Sequence, residues 1–218
     1  MKILKNITVF TLVMLLSVST VLEARDKNVS NFSSSTSNYV DSVGTFDGNK
    51  IYADVANNGL FLDYHVSGDS ALEWPKGTGV HSIFQSALWM GATVNGSIRT
   101  IVGDYTQDMG PGPWGGDPLA AVHRIYKVEK SMLASPLDFA DFQEWPVDFG
   151  APWVDVDGDG VYSPLPAGPD HPEFLGDQVL WFVSNDGDPA YKLNFGTSPL
   201  NVEIQTTMFG FDRPDVFG

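Results

Sequence analysis

Val179-Leu180-Trp181-Phe182-Val183-Ser184 is a short run rich in β-branched and aromatic residues, the composition of a strand. Five further segments share it: Ile51 to Val55, Leu60 to Val66, Ser97 to Tyr105, Ala121 to Val128, and Val202 to Phe209. The apolar stretch His81 to Val94 fits strand or helix, and the break at Gly91 with the Asn95-Gly96 turn favours strand. Asn57-Asn58-Gly59 and Asn95-Gly96 are hairpin-type turns. One short helix is expected from Pro136 to about Trp145. Ser135 is a good N-cap, Pro136 suits the first helical position, and Trp145-Pro146 ends the helix. Met109 to Pro118 and Ser163 to Pro172 are loops by composition. The expectation is a mostly β, sandwich-like domain with one short helix and long ordered loops.

Composition agrees with many turns and few long helices. The chain carries 22 Gly and 14 Pro, and its acids are 21 Asp against 6 Glu. Asp favours turns, caps and oxygen-rich metal sites, whereas Glu favours helices. Hydrophobic residues make up 43% of the chain and aromatic residues 12%, enough to bury a core without the disulfides that a cysteine-free chain lacks.

The amino terminus reads as an export signal. Lys2 and Lys5 precede an apolar stretch from Ile7 to Leu22, and the small Ala24 stands before Arg25. The apolar run falls short of the roughly 20 residues of a membrane helix. Residues 1–24 are therefore expected to be a signal peptide, 25–39 a polar flexible leader, and 40–218 a β-rich domain that continues beyond the given chain. The expected location is extracellular or at the cell surface, with no membrane span after signal removal. The formal charge of −15 becomes one unit more negative without Lys2, Lys5 and Glu23. Such a surface repels nucleic acid, whose binding is driven by Lys and Arg.

Between Ser131 and Tyr191 there is no Lys or Arg, while ten Asp and two Glu are present. Like charges a few ångströms apart repel by about 1–4 kcal/mol per pair. The window therefore calls for wide exposure or a bound cation. At its centre lies Asp155-Val156-Asp157-Gly158-Asp159-Gly160-Val161-Tyr162-Ser163. Acids at loop positions 1, 3 and 5 followed by Gly at 6 match the start of an EF-hand-type calcium loop. Alternate side chains of a tightly curved loop converge on one centre, and Gly160 permits the turn. Asp155, Asp157 and Asp159 are candidate side-chain ligands, and Val161 the candidate carbonyl ligand. The second half departs from the EF-hand, because position 12 is Pro166 and the flanks are not helical. A later acid must close the shell: Asp170, Glu173 and Asp177 are candidates, with Asp170 preferred. The alternative is an exposed Asp-Gly turn without metal. Tyr162 is expected to anchor the loop in the core. Asn185-Asp186-Gly187-Asp188 is a weaker echo, more often a plain turn.

Catalytic signatures are sparse. The four histidines have no zinc-ligand spacing, and neither a nucleophile elbow nor a phosphate loop occurs. Glu144, Glu173 and Glu203 are the acids least explained as turn residues, so a glycoside-hydrolysing pair remains open. Among six tryptophans, Trp114, set amid Pro and Gly, is the best candidate for an exposed sugar-stacking ring.

Several blocks stand together in order: Glu73-Trp74-Pro75-Lys76-Gly77, Ala87-Leu88-Trp89-Met90-Gly91, Asn95-Gly96-Ser97-Ile98-Arg99, Glu144-Trp145-Pro146 with Gly150-Ala151-Pro152, the Asp155 loop, Gly176-Asp177-Gln178, and Val202-Glu203-Ile204-Gln205-Thr206. Over most of residues 40–213 they resemble the N-terminal region of large bacterial surface proteins exported by the type IX secretion route. The resemblance implies a longer chain with β modules and a C-terminal sorting domain. It implies no catalytic residues and makes an extracellular calcium site more plausible. The functional expectation is a non-enzymatic surface or adhesion module with a calcium-stabilised loop, whose partners are calcium and glycans or other surface proteins. The competing expectation is a carbohydrate-binding or glycoside-hydrolysing protein.

Overall fold

The computed structural model describes residues 43–62, 71–104, 107–191 and 196–213. The chain divides into Met1–Asn38 and Tyr39–Gly218, and every described residue lies in the second unit. The expected signal and leader fall outside the described residues, as do positions 63–66 of one expected strand and Tyr105 of another.

Among the described residues twelve strands carry the fold: β1 Val43–Phe46, β2 Tyr52–Ala56, β3 Leu72–Glu73, β4 His81–Ile83, β5 Trp89–Val94, β6 Ser97–Val102, β7 Gly110–Pro111, β8 Tyr126–Glu129, β9 Trp153–Val154, β10 His171–Pro172, β11 Gln178–Asn185 and β12 Glu203–Gly210. The helix α1 covers only Ala140–Gln143, and isolated 3-10 turns supply the remaining helical geometry among the described residues. One sheet runs β1-β2-β3-β4. A second is centred on β11, with β12 along one edge and β7 and β8 sharing the other. β5-β6 and β9-β10 form separate pairs. All pairings among the described residues are antiparallel. The fold is mostly β.

β11 explains its own composition. All eight of its residues are buried, so both of its faces must be covered. Leu180 and Phe182 point to one side and pack with Phe46, Ala53 and Val55 of β1 and β2, and with Ile125. That contact between the two larger sheets is the sandwich-like part of the fold. Val179, Trp181 and Val183 point to the other side and pack with Tyr126, Val128, Phe142, Trp145 and Ala151. A strand buried on both faces loses the alternation of apolar and polar residues. Each of its large side chains contributes about 1.5–3 kcal/mol by leaving water.

Several sequence expectations need correction. The segment from Pro136 to Trp145 is not one helix: a 3-10 turn at Pro136–Asp138 is followed by extended Phe139 (φ −123°, ψ 109°) and then the single turn of α1. Ser135 makes no side-chain cap. Phe139 packs against the core behind β11, and that anchor outweighs the small gain of propagating a short helix. Ala121–His123 is a 3-10 turn, and the strand begins only at Tyr126. Gly91 lies inside β5 and does not break it. Asn95 (φ 51°) and Gly96 (φ 80°) do form the two-residue turn joining β5 to β6, with Val94 opposite Ser97. Asn57-Asn58-Gly59 is instead a buried bend. β2 pairs with β1 and β3, and the described part of the expected Leu60 strand makes one bridge, Leu62 to Ser86.

Candidate metal centre

The acidic loop hangs from a two-residue ladder. β9 and β10 pair in two positions, Trp153 opposite Pro172 and Val154 opposite His171. The next residues outward are Asp155 and Asp170, so this register brings the two ends of a 16-residue loop face to face. Behind the ladder, Trp145 lies in the core and donates its indole N–H to the Pro152 carbonyl (2.9 Å). The loop returns to that core through Tyr162. Its hydroxyl donates to the Phe142 carbonyl (2.6 Å), and its ring meets Trp153 edge-on at 5.5 Å. Burial, helped by the charge of Asp170, pushes the Tyr162 phenol up, as suits an anchor.

Within the loop the carboxylates order the backbone. Asp155 accepts N–H groups from Gly158 (2.7 Å), Gly160 (2.9 Å) and Asp159 (3.2 Å). Asp159 accepts the Val161 N–H (2.8 Å), and Asp157 the Asp159 N–H (3.3 Å). Gly158 and Gly160 hold φ of 78° and 77° in open space, so conformation and not crowding demands glycine there. Asp170 is only 2% exposed. It binds both limbs of the loop, accepting N–H groups from Val156 (2.9 Å) and Ser163 (2.9 Å) as well as the Ser163 hydroxyl (3.3 Å).

These contacts gather one oxygen each from Asp155, Asp157, Asp159 and Asp170 within 4.8 Å of one another. The first three are exposed and the fourth is buried. The same surroundings act oppositely on two of them. Burial works to raise the Asp170 carboxyl, but the donors from Ser163 and Val156, together with nearby His171, hold it below its ordinary value. Desolvation within the loop raises Asp157, and the charges of Asp159, Asp170 and Asp155 push the same way against one hydrogen bond from the Asp159 amide. An all-oxygen donor set of this kind suits a hard cation such as calcium or magnesium, not zinc.

Comparison with family models, with curated proteins and with solved structures returned nothing similar to this chain.

Of the two other acids considered for closing the shell, Asp177 accepts the Asp212 N–H (2.9 Å), and exposed Glu173 is held by its own N–H to the Pro152 carbonyl. Neither belongs to the four-carboxylate group. Val161 is exposed and sits in the loop at the position expected of a carbonyl ligand. The Asn185 echo is a structural clamp. Asp186 is fully buried and accepts the Leu200 (2.6 Å) and Val202 (2.9 Å) N–H groups, while Asp188 caps Ala190 (2.8 Å). Glu144 pairs with Arg124 (2.8 Å), and Glu203 accepts the Trp114 N–H (2.9 Å). Ser163 is the residue that loop-position reasoning does not single out. It serves the site by fixing Asp170, and its signal is structural, since it depends on the β9-β10 register.

Proposed function

We propose that the chain is a secreted or cell-surface structural or adhesion module whose acidic loop is organised by calcium. The observation that carries this reading is the convergence of Asp155, Asp157, Asp159 and Asp170 within 4.8 Å. Asp155, Asp157 and Asp159 donate side-chain oxygens, Val161 its carbonyl, and Asp170 the closing carboxylate. Four negative groups so close repel unless a cation sits among them. The loop ties into the core behind β11 through Tyr162, so ordering it steadies the β9-β10 end of the domain. The ordered blocks that resemble type IX secreted surface proteins support the extracellular setting, where calcium is plentiful.

Calcium titrated calorimetrically into chelator-stripped protein should bind at one site per chain, with a Kd of about 10⁻⁴–10⁻³ M, typical of extracellular modules. Asp157→Ala should abolish the heat. A wild-type protein that takes up no calcium at 10-fold above that range, roughly 10⁻² M, would overturn the reading.

A further inference from the structure

We propose that the cleft beside Trp114 binds a neutral saccharide ring, stacked on the indole and hydrogen-bonded to Asp188. The proposal is independent of the calcium reading and concerns other residues. Trp114 is 61% exposed; Trp89 is 69% exposed but already spends its indole N–H on the Gly103 carbonyl (2.6 Å), and Trp145 and Trp181 are 3% and 2% exposed in the core. Leaving so large a ring in water costs stability, and here the loop that carries it is pinned. The Gly112 N–H donates to the Val183 carbonyl (2.9 Å). The Asn185 amide donates to the carbonyls of Gly112 (2.9 Å) and Pro113 (3.2 Å). Trp114 donates its own N–H to Glu203 (2.9 Å), and Gly116 donates to Pro113 (2.9 Å). A Cβ on Gly187 would lie 2.5 Å from Trp114 Nε1, so backbone closes directly against the edge of the indole. An exposed aromatic ring on a pre-ordered loop loses little entropy when a ligand stacks on it.

The cleft measures about 320 Å³ and is lined by Trp114, Gly116, Pro118, Asn185, Asp188 and Tyr191. That is the low end of small-ligand sites, about 300–1,000 Å³. Asp188 spends one oxygen on the Ala190 N–H, and its other oxygen accepts nothing among the described residues. The Trp114 indole N–H likewise has no acceptor among the described residues. The acidic chain, with no Lys or Arg from Ser131 to Tyr191, disfavours an anionic ligand. Tyr191 is 2% exposed, so one accessible aromatic wall stands where a quaternary ammonium ion prefers a cage of several. A sugar ring offers an apolar C–H face to the indole and hydroxyl donors to the carboxylate.

The test is calorimetry of residues 25–218 against neutral hexasaccharides built from glucose in β-1,4 and β-1,3 linkage, xylose, mannose and N-acetylglucosamine, with choline as the competing chemistry. At least one hexasaccharide should bind. Trp114→Ala should weaken that binding by roughly tenfold, the scale of one aromatic stacking contact. Asp188→Asn should weaken it severalfold, and both variants should keep the wild-type melting temperature. Binding that persists in chelator supports the site and separates it from the acidic loop. Silence across the saccharide panel, undiminished binding by Trp114→Ala, saccharide binding lost in chelator, or binding of choline in place of saccharide would each overturn it.

Discussion

β11 and the loop from Asp155 to Asp170 lie in one domain and are held by opposite means. β11 is buried on both faces and secured by apolar packing to two separate clusters. The loop exposes three of its four acids and is secured by N–H groups donated to carboxylates. The strand needs nothing beyond its own chain, whereas the loop gathers charge that a cation would neutralise. Core and site should therefore respond differently to substitution, to calcium and to pH.

The largest effect is expected in the core. Phe182→Ala should cost about 3–5 kcal/mol in urea unfolding, by lost transfer energy and by the cavity left, and equally with and without calcium. A loss that calcium rescues would blur the division. Asp170→Ala should follow at about 3 kcal/mol, because it strands the N–H groups of Val156 and Ser163 that charge-assisted bonds now satisfy. Its loss should persist in chelator, and hydrogen exchange should localise it to the loop limbs. A cost spread evenly over β11 would contradict the separation.

Gly160→Ala sharpens the comparison from the backbone side. The left-handed conformation costs a residue with a Cβ roughly 1–2 kcal/mol, and open space around Gly160 means no clash adds to it. The substitution should lower calcium affinity without disturbing the core, read by titration calorimetry beside a melt in chelator.

The smallest effect concerns pH at a site away from the loop. Burial works to raise Asp47, but hydrogen bonds from Lys127 and Gln178 hold its carboxyl below the ordinary value. The stabilisation is therefore present above the unfolded-state value of about 3.9 and is lost as pH falls through the lower folded value. The pair is partly exposed, so its worth is below about 1 kcal/mol. Asp47→Asn should flatten the acid limb of the stability curve slightly. An unchanged limb would remove Asp47 from the account.

The two regions also differ in how legible they were. The strand character of Val179–Ser184 and Val202–Phe209 follows from residue type alone, and both segments are strands. Asn95-Gly96 carried its turn in two residues. The helix around Pro136 misled because Ser135 and Pro136 are local signals, while the position of Phe139 is decided by a core assembled from distant segments. In the loop, Asp155, Asp157 and Asp159 announce themselves by alternation. Asp170 does not, since its place depends on pairing Val154 with His171, a register that spacing leaves open. Ser163 was invisible for the same reason.

The central claim is that the loop is organised by calcium, and a thermal melt of residues 25–218 tests it most directly. Wild type and Asp157→Ala would each be melted in millimolar calcium and in chelator. At a Kd near 10⁻⁴ M, mass action adds about 1.4 kcal/mol, a rise of roughly 3–6 °C for a domain of this size. The account predicts that rise in the wild type and none in Asp157→Ala. Coincident melts of the wild type with calcium and with chelator would contradict it and leave the four carboxylates as a solvated turn.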